Sequence, residues 1–143
     1  MHTMTTTLHL PARQGAAIAC DMRSAKDSPD ERMRAYDRLF ADALRDRERR
    51  ENAVVFTFGG AAETQARVEE LARREADCCP FADYRVEIAE DIVTWTISGD
   101  DRAGVEIMLD AYYALPDHPG TDLGGLLELI DAPAGSAALE VRR

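Results

Sequence analysis

The chain has 143 residues, of which 45% are hydrophobic and 31% are charged, a composition typical of one globular domain and not of a disordered or fibrous protein. The 27 acidic residues outnumber the 17 lysines and arginines, which gives a net charge of -10 at pH 7. A protein that grips nucleic acid or an anionic membrane surface needs a cationic face, so this balance argues against both partners.

The N-terminal residues and the number of cysteines indicate the cellular compartment in which the protein works. No apolar run approaches the roughly 20 residues that span a bilayer. The segment from Met1 to Pro11 lacks the cationic and apolar stretches of a secretion signal. The three cysteines are an odd number and two of them are adjacent, which disfavours an extracellular disulfide framework. We therefore predict a cytoplasmic protein with reduced thiols.

The start of the chain predicts a tail followed by one strand. Residues 1–15 are rich in threonine and carry only the loose apolar alternation of Leu8 and Leu10, which is typical of an N-terminal tail or a marginal edge strand. The apolar run from Ala16 to Met22 is long enough for one strand and ends close to Cys20. We place the start of the folded domain at residue 16.

A capping box predicts the start of the first helix. Ser28 is the cap, Pro29 takes the first helical position, and Glu31 lies three residues after the cap. The charged segment from Arg45 to Asn52 predicts a helix end that projects into solvent, which leaves homodimer formation open. Between them, apolar residues recur at helical spacing and predict one buried stripe, made of Met33, Tyr36, Leu39, Phe40, Ala43 and Leu44.

The rest of the chain predicts a strand, a helix, a hairpin and a third helix. Apolar residues alternate with polar ones in the hairpin segment, whose turn lies near Glu90-Asp91. The predicted elements are a strand from Ala53 to Phe58, a helix from about Ala62 to Cys78, a hairpin from Tyr84 to Ser98, and a helix capped by Asp100 or Asp101 that stops at Pro116.

The order of these elements, β-α-β-α-β-β-α, predicts a two-layer α+β fold in which three main helices pack on a small, mainly antiparallel sheet. A single domain spans residues 16–131, between the N-terminal tail and a C-terminal tail at residues 132–143. A chain of this size can bury most of its apolar surface without disulfides or a structural metal.

The end of the second helix carries the most unusual local pattern. Three and four positions after Glu75 come Cys78 and Cys79. At this spacing all three side chains fall on or beside the buried face of the helix. A carboxylate in phase with apolar residues is costly to bury unless it is paired or used. Adjacent cysteines seldom bond to each other, because the ring they would close strains the intervening peptide, and they are better suited to sharing a third partner.

A soft metal or metalloid ion is the partner that this pattern favours. Thiolates prefer ions such as Hg(II), Cu(I) or As(III) to hard cations, and no CxxC spacing supports a zinc site. A helix C-terminus raises the pKa of a thiol, so a bound cation must stabilise the thiolates. We predict a metal site of Cys20, Cys78 and Cys79, with Glu75 tuning their protonation.

The same segments carry a resemblance to known proteins. Ala19-Cys20 ends the first predicted strand, and Glu75-Ala76-Asp77-Cys78-Cys79-Pro80-Phe81 ends the second helix. The chain resembles small, mostly uncharacterised bacterial proteins with an Ala-Cys strand and a Glu-x-x-Cys-Cys-x-Phe helix end, over about Ala17 to Leu115. Such proteins are associated with mercury or other heavy-metal resistance settings. The resemblance implies that the three cysteines act together beside Glu75, and it implies no established reaction.

Two other functions stay open at the level of sequence. The same residues suit a thiol-dependent enzyme in which Cys79 is the nucleophile and Glu75 or Asp77 is the proton donor. Organomercurial protonolysis or sulfur transfer would fit that arrangement. Alternatively, the chain is a small interaction domain whose cysteines only pack, because cysteine often behaves as a small buried hydrophobe.

Overall fold

The computed structural model of the chain describes residues 5–13, 16, 27–60, 62–121, 123 and 125–127. These residues contain helices and one sheet, which confirms the predicted α+β class. The elements are, in chain order, β1 (Thr5–Leu10), α1 (Pro29–Ala43), β2 (Leu44–Arg50), β3 (Ala53–Gly59), α2 (Ala62–Cys78), β4 (Asp83–Ala89), β5 (Ile92–Ser98), α3 (Val105–Ala114) and a 3-10 turn (Leu115–Asp117).

The strands form one five-stranded sheet in the order β1-β4-β5-β3-β2. Every pair of neighbouring strands is antiparallel, as the sequence predicts. The central strands β3 and β5 set Phe56 opposite Trp95 and Val54 opposite Ile97. All four of these side chains are fully buried, because alternate residues of a strand point to the same face. One face of the sheet therefore carries the core.

The helices cover this buried face. Tyr36 of α1 stacks on Trp95 of β5 with ring centroids 6.0 Å apart. The hydroxyl of Tyr112 in α3 lies 3.1 Å from that of Tyr84 in β4. Helix α2 packs on β1, β4 and β5. Side chains from all three helices consequently meet over β4 and β5, where the end of α2 lies.

Three local predictions are confirmed. The Ser28 hydroxyl accepts a hydrogen bond of 3.1 Å from the Glu31 N–H, and the Glu31 carboxylate accepts one of 2.8 Å from the Ser28 N–H, which completes the capping box. Helix α2 has the predicted bounds. Strands β4 and β5 form the predicted hairpin, with Glu90 in the left-handed region at its turn (φ 57°).

The charged segment after α1 is a strand, so the prediction of a projecting helix end is wrong. Strand β2 pairs with β3 at one edge of the sheet, where charged side chains discourage further strand pairing. Arg47 donates a hydrogen bond of 2.7 Å to the carbonyl of Tyr113, and Arg49 donates one of 2.9 Å to the carboxylate of Asp110. Backbone pairing and these contacts with α3 override a local sequence that is poor in strand-forming residues. The homodimer prediction loses the helix end on which it depends.

The N-terminal prediction is resolved for Thr5–Leu10. These residues form an edge strand that pairs with β4, so the edge-strand alternative is correct for them. The domain start predicted at residue 16 therefore leaves out one strand of the sheet. Apart from Ala16, the predicted strand from Ala16 to Met22 lies outside the described residues, as does the predicted C-terminal tail at 132–143.

The third helix begins later than predicted. Its cap is Gly104, which has a positive φ of 97°, and not Asp100 or Asp101. The Asp100 carboxylate instead accepts a hydrogen bond of 3.0 Å from the N–H of Arg102 in the preceding turn. A carboxylate that closes a local turn competes with capping, since the same oxygen serves either purpose.

Replacing Ser28 by alanine tests the capping box. The Glu31 N–H would lose its acceptor, so we expect the free energy of unfolding to fall by about 1 kcal/mol. Urea unfolding of Ser28→Ala and of the native chain measures this difference. The Ser28→Asp variant serves as the control, because aspartate also caps helices and is expected to restore most of the loss. An alanine variant as stable as the native chain would contradict the prediction.

Among the helices that the structure describes, none combines the length and the apolar character needed to cross a bilayer.

Candidate metal and thiol site

The last turn of α2 brings Glu75, Cys78 and Cys79 together. The Cys79 N–H donates to the Glu75 carbonyl at 2.6 Å, so helical geometry continues past Cys78 and places the three side chains on one face. The two Sγ atoms lie 3.5 Å apart, and Cys79 Sγ lies 3.5 Å from Oε1 of Glu75. The exposed fraction of each residue is at most 2%. One ligand atom from each lies within 4.8 Å of the others, so the group could hold a metal ion.

The two adjacent cysteines differ in covalent state. Cys78 is a free thiol, whereas Cys79 is disulfide-bonded. The prediction of reduced thiols therefore holds for Cys78 and not for Cys79. Since the thiolate is the form that binds metals, Cys79 can serve as a ligand only after a thiol or phosphine reductant has cleaved its disulfide.

A buried arginine from α1 holds the carboxylate of this group. Arg32 donates from Nη1 to Oε2 of Glu75 at 2.8 Å, and the same nitrogen lies 3.4 Å from Cys78 Sγ. Its Nε and Nη2 donate to the two carboxylate oxygens of Asp27, each at 2.7 Å. Arg74 adds a third hydrogen bond to Asp27, of 3.1 Å. Arg74 also donates to the exposed Glu70 at 2.7 Å, so two cations contact three carboxylates. The two arginines offset much of the cost of burying Asp27 and Glu75.

Two tyrosine hydroxyls complete the polar network. Tyr112 donates to Oε1 of Glu75 at 2.6 Å. Tyr84 donates to the carbonyl of Cys79 at 2.9 Å. The first bond orients the carboxylate, and the second pairs with the Cys79 carbonyl just beyond the end of the helix. The side chains of α1, α3 and β4 therefore fix the positions of both Glu75 and the cysteine pair.

Burial controls the protonation of the cluster. It raises the pKa of the Cys78 thiol, and the negative charge of Glu75 raises that pKa further, while Arg32 acts in the opposite direction. Burial also raises the pKa of the Tyr84 and Tyr112 hydroxyls, and again the charge of Glu75 adds to the effect. At neutral pH, Cys78 is therefore a neutral thiol and both tyrosines are neutral donors.

Replacing Asp27 by asparagine tests the outer ion pair. The hydrogen bond from Arg32 is the main reason that the Asp27 carboxyl has a pKa of about 2 in place of 3.8. A lowered pKa stabilises the folded state above about pH 4, and this stabilisation disappears as the pH falls toward 2. We expect Asp27→Asn to lower the free energy of unfolding by about 2 kcal/mol at pH 7 and by much less near pH 2.

Urea unfolding of Asp27→Asn at several pH values checks this expectation. The exposed residue Asp101 supplies the matched control, since Asp101→Asn is expected to change stability by less than about 0.5 kcal/mol. A stability difference for Asp27→Asn that is the same at pH 7 and at pH 2 would show that the ion pair is not its cause.

The predicted site residues have different outcomes. Glu75, Cys78 and Cys79 lie together as the helical spacing indicates. Asp77 is exposed on the opposite side of α2 and is not part of the group, so its predicted role as a proton donor has no support from its position. Cys20 lies outside the described residues, and the three-sulfur site therefore stays a prediction.

The residues that the sequence analysis misses are Asp27, Arg32, Tyr84 and Tyr112. Arg32 had a detectable signal, because it is in helical phase with the buried Tyr36 and Leu39, while the predicted Met33 is only half-buried. An arginine in phase with an apolar stripe indicates a buried ionic partner, which Glu75 supplies. The aromatic residues carry no such signal, since tyrosines in a strand or helix core are common without a polar role.

Comparisons of the chain with protein families, with curated proteins and with solved structures gave no match. What the protein does is therefore inferred from its own residues.

Proposed function

We propose that this protein, in its reduced form, captures a soft metal or metalloid ion with the sulfurs of Cys78 and Cys79 beside the carboxylate of Glu75. The observation that supports this most strongly is the group itself, whose three candidate ligand atoms lie within 4.8 Å of one another and are shielded from solvent. Two sulfurs next to each other suit Hg(II), Cu(I) or As(III) better than a hard cation, because soft ions form the stronger bonds to thiolate.

Cys20 is the third sulfur in the finer form of this proposal. The chain contacts the site on both sides of it, since the Arg13 N–H donates to the carbonyl of Pro80 at 2.8 Å and the Asp27 carboxylate holds the arginine of the site. Of the chain's three cysteines, the free thiol at position 78 leaves Cys20 as the intramolecular partner available to Cys79. Peptide mapping of unreduced protein tests this, and we expect a crosslink between Cys20 and Cys79.

Burial favours capture over the thiol-enzyme alternative. A nucleophilic thiol acts as a thiolate and must meet its substrate. Cys78 is only 1% exposed and has a raised pKa, and Cys79 is fully buried. A metal ion, by contrast, displaces the thiol proton itself and is small enough to enter a site between side chains. The 3.5 Å distance from Glu75 to Cys79 Sγ would also serve an enzyme, so the test includes a reactivity measurement.

Anaerobic titration of the reduced chain with Hg(II), Cu(I) and As(III) tests the proposal. We expect one ion per chain and an ultraviolet thiolate-to-metal band. Cys78→Ser and Cys79→Ser should each weaken binding by at least about a hundredfold, since each removes a direct ligand. Asp77→Asn is the matched control, because Asp77 is an exposed neighbour on the same turn. The affinity of this variant for each ion should equal that of the native chain.

The other outcomes of this experiment contradict capture in different ways. Ion uptake that survives both serine variants would mean that the ion binds elsewhere. Absence of uptake together with rapid alkylation of Cys79 at neutral pH would favour the enzyme. Thiols that neither bind an ion nor react with an alkylating reagent would leave only a packing role.

A further inference from the structure

One polar group beside the site lacks a well-formed hydrogen bond among the described residues. Tyr36 is 4% exposed, and its hydroxyl lies close to the Glu75 carboxylate without making a hydrogen bond of normal geometry to any described residue. It lies one helical turn after Arg32 on the buried side of α1 and stacks on Trp95, whose indole N–H also lacks a hydrogen bond within the described part of the chain. Buried donors are nearly always hydrogen-bonded, so a phenol without a well-formed hydrogen bond beside Glu75 calls for an explanation.

The Tyr36 hydroxyl belongs electrostatically to the same cluster as Glu75. Burial raises its pKa, and the charge of Glu75 raises it further, so the hydroxyl is a neutral donor within reach of that charge. The carboxylate itself is already occupied by Arg32 and Tyr112, at 2.8 Å and 2.6 Å. The Tyr84 and Tyr112 hydroxyls near Glu75 both donate hydrogen bonds. The Tyr36 hydroxyl is a donor without a well-formed hydrogen bond to a described residue.

The Tyr36 hydroxyl distinguishes between the ions that two thiols can capture. A bare cation such as Cu(I) or Hg(II) bonds to sulfur and carboxylate but brings no acceptor for a phenol. Trivalent arsenic and antimony enter as neutral hydroxides, which carry oxygen atoms of their own.

We propose that the ligand is a trivalent metalloid hydroxide, such as arsenous acid, bound by Cys78 and Cys79 with one retained hydroxyl that accepts a hydrogen bond from Tyr36. Two S–H bonds and two As–OH bonds break, two As–S bonds form, and two water molecules leave, so no atom changes oxidation state. The disulfide of Cys79 must first be reduced by a thiol or phosphine. This inference rests on the proposed function and replaces its third sulfur, from Cys20, by an oxygen of the ligand.

X-ray absorption at the arsenic edge tests the inference directly. The sample is the chain reduced with a phosphine, freed of reductant under anaerobic conditions, and mixed with one equivalent of arsenite. We expect two sulfur neighbours and one oxygen neighbour around arsenic. Three sulfur neighbours would overturn the retained hydroxyl but agree with the three-cysteine form of the proposed function. Absence of sulfur neighbours, with no Hg(II) uptake either, would overturn the proposed function itself.

Replacing Tyr36 by phenylalanine supplies an independent test. We expect Tyr36→Phe to weaken arsenite binding by about tenfold, the effect of one lost hydrogen bond, and to leave Hg(II) binding unchanged. Tyr113→Phe, at a half-buried position beside Arg47, is the matched control and should affect neither ligand. Folding should suffer little, since the Tyr36 hydroxyl makes no hydrogen bond of normal geometry to the described residues. Equal losses for both ligands, or no loss for arsenite, would overturn the role of Tyr36.

Discussion

Replacing Arg32 by methionine is expected to lower the free energy of unfolding by about 3–5 kcal/mol at pH 7. Methionine has a similar length and no charge, so the main change is electrostatic. Glu75, which is 2% exposed, would lose its ion pair with Arg32, and among the described residues Asp27 would keep the longer contact with Arg74 at 3.1 Å. An uncompensated carboxylate in the interior costs far more than a lost surface contact. Denaturant unfolding measures the difference.

Two further variants separate this explanation from a general effect of changing α1. Arg34→Met alters an exposed arginine on the same helix and should change stability by less than about 0.5 kcal/mol. The double variant Arg32→Met with Glu75→Gln should recover part of the loss, because a neutral amide no longer needs a cation. A loss below about 1 kcal/mol for Arg32→Met, or a double variant less stable than the single one, would rule out the buried ion pair as the cause.

The stability difference between Arg32→Met and the native chain should depend on pH, because the variant leaves carboxylates without their arginine partner. The hydrogen bond from Arg32 is the largest cause of the lowered pKa of Asp27, so this pKa should rise in the variant. The higher free energy of unfolding of the native chain, relative to Arg32→Met, is therefore present above about pH 4 and is lost as the pH falls toward 2. The two unfolding curves should approach each other over that interval.

Local sequence signals account for the elements that the sequence analysis predicted correctly. The capping box at Ser28 and the hairpin around Glu90 are each encoded within a few residues, and the apolar period of α2 extends over its whole length. Strand β2 has no such signal, because its charged side chains are typical of a solvated helix end. Tertiary contacts stabilise it as a strand, among them its pairing with β3 and the reach of Arg47 and Arg49 to α3.

The same distinction separates the predictable and unpredictable parts of the site. Glu75, Cys78 and Cys79 could be predicted because one helical turn brings them together. Arg32 and Tyr112 reach Glu75 from other helices, and only tertiary packing determines which side chains face one another. The arginine left a weak signal in its helical phase, whereas the tyrosine left none. The disulfide at Cys79 contradicts the expectation of reduced thiols, because an odd number of cysteines does not forbid a disulfide.

Metal affinity of the reduced chain should rise by about a hundredfold for each pH unit between pH 6 and 7.5. Binding through Cys78 and Cys79 displaces two protons, and each displaced proton contributes a factor of about ten per pH unit while the thiol is protonated in the free protein. Because burial and the charge of Glu75 raise the pKa of Cys78, its proton is still present at pH 8. The affinity should therefore rise by at least about tenfold per unit up to that pH.

Competition with a chelator of known proton affinity, repeated across this pH range with Hg(II), measures the slope. The Cys79→Ser variant isolates the contribution of Cys78, and its residual affinity should rise by about tenfold per unit without flattening below pH 8. Flattening near pH 7 would mean that Arg32, 3.4 Å from Cys78 Sγ, outweighs burial and keeps a thiolate at rest. Cys78 would then be an activated thiol, and the enzyme alternative would replace capture as the better account of the site.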